Sequence, residues 1–167
     1  MNLKPTTYNL KPQRGFTLIE MLIVVAIIGI LASVVVIGIG PAQQRARDSR
    51  RASDLKQIQT SIELYYNKNG AYPTGGTDGE MSWADFTAAI VAANIGVNKL
   101  PTDPVSANTY EYGAAGNGTT YVLKATLEQV NDNLQKTSLR GNPLYGLDCG
   151  SGVNTTDDDK KKYCVGP

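Results

Sequence analysis

Met21 to Gly40 is a run of twenty residues without a charged side chain, and Glu20 stands at its mouth. About 20 apolar residues suffice to span a bilayer as a helix. Whatever else the chain folds into, it must place this run in lipid or against other apolar helices. Val, Ile and Leu dominate the run, while Gly29, Ser33, Gly38 and Gly40 interrupt it. Small residues of this kind let helices approach closely in lipid. A carboxylate inside such sequence is costly, by about 2.5 kcal/mol or more on insertion scales, so Glu20 needs a reason. The bland reason is a single-pass helix with Glu20 at the headgroup level; the functional one is a charged partner.

Ahead of the run, Met1 to Gly15 carries Lys4, Lys11 and Arg14 and no acidic residue. That suits a segment held on the cytoplasmic side. It does not read as a secretory signal, because the apolar run exceeds an h-region and no small-residue cleavage context follows it. Arg45, Arg47, Arg50 and Arg51 follow the run, so charge alone does not orient it.

Beyond Pro41, where a backbone donor is lost and the helix has a weak point, the pattern becomes amphipathic. Leu55, Ile58, Ile62, Tyr65 and Tyr66 recur at helical spacing, and Arg51, Ser53, Asp54, Lys56, Gln57, Gln59 and Glu63 fall on the other, solvated faces. Asn69-Gly70 ends the helix, since glycine favours a C-terminal cap. A short helix is predicted from Trp83 to Asn94, capped by Ser82 with Asp85 three residues on. Trp83 shares a face with Phe86 and Ile90, so it reads as a core anchor rather than a ligand platform. Leu100 to Pro104 breaks regular structure. Thr109 to Tyr112 and Thr119 to Leu127 read as strands around a Gly113–Gly118 hairpin loop. In the second strand Tyr121, Leu123, Ala125 and Leu127 face inward, while Thr120, Val122, Lys124 and Thr126 form a mostly polar wet face. A third strand is expected near Tyr163 to Val165, and Glu128 to Asn142 is left unassigned.

The segment Arg14-Gly15-Phe16-Thr17-Leu18-Ile19-Glu20, in register with the apolar run, resembles the processing site of type IV pilins and type II secretion pseudopilins. The resemblance implies that an inner-membrane prepilin peptidase cuts between Gly15 and Phe16 and N-methylates Phe16. Glu20 then becomes the fifth mature residue and pairs with the Phe16 amine of a neighbouring subunit, setting register because either charge alone would be stranded. Asn69 to Thr74, reading Asn-Gly-Ala-Tyr-Pro-Thr, is similar to the end of the long helix in major pseudopilins.

The fold expected is α+β: a long N-terminal helix, half transmembrane and half amphipathic, on a small antiparallel sheet headpiece with a disulfide-closed C-terminal loop. Residues 1–15 form a cleaved leader, 16–41 a transmembrane or filament-core helix, and 42–167 the headpiece. The implied partners are other copies of the chain, the prepilin peptidase, the inner-membrane assembly machinery and, before assembly, the membrane itself. The implied location is the inner membrane as a single-pass protein, then an extracellular filament or a periplasmic pseudopilus. A type IV pilus subunit is the favoured reading, with the major pseudopilin as the alternative. A membrane-anchored surface binding module is the alternative of another class.

The chain has no histidine, so neither a Ser-His-Asp site nor a His-rich zinc site can be built, and nothing pairs a nucleophile with a base. No enzyme and no cofactor are expected. Cys149 and Cys164 are the only cysteines, and in an exported domain they favour a disulfide. Asp148, Asp157, Asp158 and Asp159 are weak calcium candidates, because their spacing matches no EF-hand and Lys160 to Lys162 offset them. Asn117-Gly118-Thr119 and Asn154-Thr155-Thr156 fit the glycosylation sequon. The arginines after the run could touch phosphates of lipid or nucleic acid. With a net charge of only +1, a nucleic-acid partner has no broader support.

Overall fold

The computed structural model describes residues 15–75, 79–141, 144–150, 158 and 161–167; within the first helix the side chains of 34–38 fall outside the description. The elements are α1 (Leu18–Asn69), β1 (Gly79–Met81), α2 (Trp83–Ala92), β2 (Glu111–Ala114), β3 (Tyr121–Thr126), α3 (Asp132–Gln135) and β4 (Lys162–Val165). The chain divides into two compact units, one up to Gly40 and one from Pro41 to Pro167.

Helix α1 stops where the sequence places its stop. Gly70 takes a φ of 76°, and its N–H donates to the Tyr66 carbonyl at 2.7 Å. Glycine enters this left-handed region without a Cβ penalty. At Pro41 the expected weak point is not a break: α1 continues through it. Proline removes one backbone donor there, so the helix runs on with one intrahelical bond fewer.

In the second unit the four strands pair antiparallel in the order β1-β2-β3-β4. Strand β2 lies two residues later than the sequence suggests, and β1 was not foreseen. The tighter register places Glu111 opposite Lys124, whose ammonium meets the Glu111 carboxylate at 2.9 Å. Gly113, expected in the loop, sits within β2. A Cβ there would lie 2.3 Å from the Tyr145 carbonyl oxygen. Gly113→Ala is therefore expected to destabilise the headpiece by about 1–3 kcal/mol, read as a lower urea midpoint.

One side of the sheet builds the main core. Leu55, Ile58 and Ile62 of α1 pack with Phe86 and Ile90 of α2 and with Tyr110, Tyr112, Tyr121 and Leu123. Tyr65 is half-buried and Tyr66 exposed, so the end of the predicted stripe runs along the core's rim. There Tyr66 packs on Tyr72, and Tyr72 on Tyr121, with ring centroids 4.6 and 4.7 Å apart. Helix α2 begins at its predicted cap, with Ser82 Oγ accepting from the Asp85 N–H.

The other side of the sheet corrects the wet-face expectation. Val122 is 2% exposed and forms a second cluster with Leu147, Cys149 and Cys164, flanked by Leu144 and Tyr145. The C-terminal segment lies over this face. The Cys149–Cys164 disulfide, closing a separation of 15 residues, staples it there. A loop of that size is worth about 3 kcal/mol in the chain-entropy model. Replacing both cysteines by serine is expected to lower stability by about that amount, measured by chemical denaturation, and to increase binding of a hydrophobic dye as Val122 is uncovered.

Candidate functional site

Met1 to Arg14 lie outside the described residues. Gly15, Phe16 and Thr17 precede α1 and are exposed, Phe16 to 80%, and the Thr17 carbonyl accepts the first helical bond, from the Met21 N–H at 3.3 Å. The peptide bond between Gly15 and Phe16 is thus open on the side of the described chain. Helix α1 begins with a reciprocal cap. Thr17 donates to Glu20 Oε2 from its backbone N–H at 2.9 Å and from its hydroxyl at 2.7 Å, while the Glu20 N–H donates back to Thr17 Oγ1 at 3.3 Å. This capping box satisfies helix-start donors that lack intrahelical partners, and it places a carboxylate at the positive end of the helix. The sequence carries the signal for it, Thr-x-x-Glu before an apolar run.

From Leu18 to Leu31 the large apolar side chains are exposed around the helix, Leu18 to 81%. A helix apolar all round has to be covered by lipid or by other helices. Among the described residues no helix is long and apolar enough to cross a membrane. The run that reaches spanning length includes 34–38, whose side chains lie outside the description.

The arginines after the run do not make one basic patch. Arg45 and Arg50 are exposed, Arg50 lying 3.7 Å from Asp54 along the helix. Arg51, assigned by its pattern to the solvated face, is 0% exposed. Its guanidinium grips Asp103 bidentately at 2.7 and 2.9 Å, and a third nitrogen donates to Asp48 at 2.7 Å and to Glu128 at 2.9 Å. Arg47 adds two bonds to Glu128, at 2.6 and 2.5 Å. Asp48 also accepts the backbone N–H groups of Glu128 and Gln129, both at 2.9 Å, and Asp103 accepts from the Val105 N–H at 2.8 Å. Two loops are thereby fastened to α1. Hydrogen bonds from Arg47, and then from Arg51, hold the Glu128 carboxyl well below its ordinary range, at about 2. Asp54, placed with Arg51 on the wet face, is also buried and accepts the Tyr110 hydroxyl at 2.7 Å.

Of the calcium candidates, Asp148 pairs with Lys162 at 2.7 Å and accepts the Gly150 N–H at 3.0 Å; the lysine and this bond hold its carboxyl below the usual range. Asp158 is exposed, and Asp157 and Asp159 lie outside the described residues, as does Asn154. Among the described residues no group of three His, Cys, Asp or Glu side chains is placed to hold a metal ion. Asn117 is exposed at the hairpin tip, where its side-chain oxygen accepts from the Thr119 N–H and hydroxyl.

Residues 10–36 match the prokaryotic N-terminal methylation motif. The chain is similar to type II secretion system core protein G of Escherichia coli, with 34% identity over 111 residues, covering 61% of this chain and 77% of that protein. It is likewise similar to core protein G of Pseudomonas aeruginosa, with 34% identity over 110 residues, covering 64% of this chain and 77% of that protein. The likeness to core protein G of Dickeya chrysanthemi is shorter, 37% over 62 residues, 37% of this chain and 40% of that protein. No solved structure matches the chain.

Proposed function

Because the chain belongs to the type IV pilin and type II secretion pseudopilin family, we propose that it is the major pseudopilin of a type II secretion machine. It acts as a structural subunit and not as an enzyme. One observation carries this reading over the pilus subunit favoured from the sequence: the likeness to core protein G extends over 111 residues. Leader and α1 together end at Asn69, so an alignment of that length includes headpiece as well as the N-terminal segment that pilins and pseudopilins share.

In this reading residues 1–15 are a leader removed by the prepilin peptidase between Gly15 and Phe16, and Phe16 is the N-methylated first residue. Residues 16–41 hold the precursor in the inner membrane and later line the filament core; residues 42–167 are the headpiece, outside the membrane. The transfer from lipid to filament is supported by the exposed apolar surface of α1, since helices of other copies are as apolar as the lipid they replace. In the filament the Glu20 carboxylate turns from Thr17 to the Phe16 amine of a neighbour, and a mis-registered copy strands both charges.

Intact mass and N-terminal sequence of the membrane-derived protein are expected to show a species starting at N-methyl-Phe16 and lacking two hydrogens for the disulfide. A species starting at Met1 in cells with an active peptidase refutes the processing step. Deleting the gene is expected to stop type II secretion while leaving surface pili in place. Lost pili with intact secretion would return the chain to the pilus reading.

A further inference from the structure

A cleft of about 370 Å³ opens between the start of α2 and the loop ahead of β2, with Trp83, Thr102, Ser106, Asn108, Thr109 and Tyr110 in its lining. Its size lies at the lower end of the range for small-ligand sites. Trp83 is half-buried and braced by Phe86 and Tyr110, with ring centroids 5.2 and 5.8 Å away, so it forms a fixed aromatic wall. The lining's only charged residue, Asp103, is already engaged: Arg51 takes both its oxygens, and the Val105 N–H adds a bond to one. What faces a ligand beyond the ring is three hydroxyls and one carboxamide. Thr102, Ser106, Asn108 and Thr109 are exposed, and among the described residues their side chains make no hydrogen bond within the chain.

This chemistry selects a ligand class. A charged ligand meets no unengaged counter-charge. A wholly apolar one would leave the hydroxyls and the amide without partners. Groups that both donate and accept, set beside an aromatic ring, match a pyranose with its hydroxyl rim and apolar C–H faces. We propose that this cleft is a binding subsite for a neutral sugar residue of a glycan. The proposal does not depend on which filament the chain builds.

Trp83 is the sole tryptophan, so its emission reports the cleft directly. The experiment titrates the full chain, in a detergent without a sugar headgroup, with triacetylchitotriose and separately with maltotriose. A saturable change in Trp83 emission in the millimolar range is expected with at least one of them. Asn108→Ala is expected to weaken that binding about tenfold, as loss of one hydrogen bond does. Ser106→Ala probes the same rim independently should the first variant fold poorly. A response to triacetylchitotriose alone identifies an amino-sugar glycan, and a response to maltotriose a plain glucan; either supports the subsite. No saturable change with both sugars overturns it, as does a change of the same affinity in both variants.

Discussion

Arg51→Ala is expected to destabilise the headpiece by about 3–5 kcal/mol, because it leaves buried charge without its partner. That is a large share of the roughly 5–15 kcal/mol that holds a typical domain folded. The substitution strands Asp48 and Asp103, each only 2% exposed at the side chain, and unfastens the Asp103 loop from α1, while Arg47 and Asp48 still hold Glu128 and Gln129. Arg47→Ala is the control. Its pair with Glu128 is partly open to water, with side chains 33% and 22% exposed, and such pairs contribute roughly 0–1 kcal/mol. Arg51→Lys keeps the charge but loses the planar fork that serves three carboxylates, so it should fall between the two. Urea denaturation followed through Trp83 emission measures all three, and an Arg51→Ala effect no larger than that of Arg47→Ala would refute the assignment. Acid should find the same site. The folded chain holds Glu128 ionised down to about 2, against an ordinary value of 4.5. Its contribution is therefore complete above pH 4.5 and is lost as the pH falls through about 2.

What the sequence disclosed and what it hid follow from the range of the forces involved. The end of α1 at Gly70, the Ser82 cap and the inward row of Tyr121, Leu123 and Ala125 are local: backbone conformation and period alone specify them. Arg51 was misplaced because its partners stand 3, 52 and 77 residues away. Periodicity weighs residue type and therefore sends every arginine to water. Val122 was assigned to the wet face for a related reason. Nothing in an alternating strand announces that a segment some two dozen residues later will cover its second side. The short β1, reading Gly-Glu-Met, carries no strand signal of its own and is ordered by pairing with β2. The processing segment is legible because its residues are contiguous, and the Thr17–Glu20 cap is equally local, its Thr-x-x-Glu spacing standing in the same segment.

Glu20→Ala is expected to abolish filament assembly while leaving cleavage and headpiece folding intact. Loss of the cap partner weakens the start of α1 by only about 0.5–2 kcal/mol, whereas in the proposed filament loss of the intermolecular charge pair would leave the Phe16 amine stranded in every subunit. Thr17→Ala separates the two roles, since it removes the hydroxyl of the Thr17–Glu20 cap and keeps the carboxylate. Filament yield from sheared or membrane fractions should collapse in Glu20→Ala and stay near the parent level in Thr17→Ala. Equal losses in both would reduce Glu20 to a helix cap, and wild-type yield in Glu20→Ala would remove it from assembly altogether. Mass spectrometry of each variant should still find N-methyl-Phe16 at the start.

The staple between Cys149 and Cys164 gives the subunit a date of completion. Thiols remain reduced where glutathione and thioredoxin operate, and they pair only in an oxidising compartment. If the headpiece is exported as proposed, the flap that carries Leu147 over Val122 has no permanent latch while the chain is being made and acquires one only on the oxidising side. Maturation becomes a race between two clocks, oxidation and polymerisation. On the proposed reading, copies that polymerise first would enter the filament with an unlatched flap over Val122, and copies that oxidise first would enter uniform.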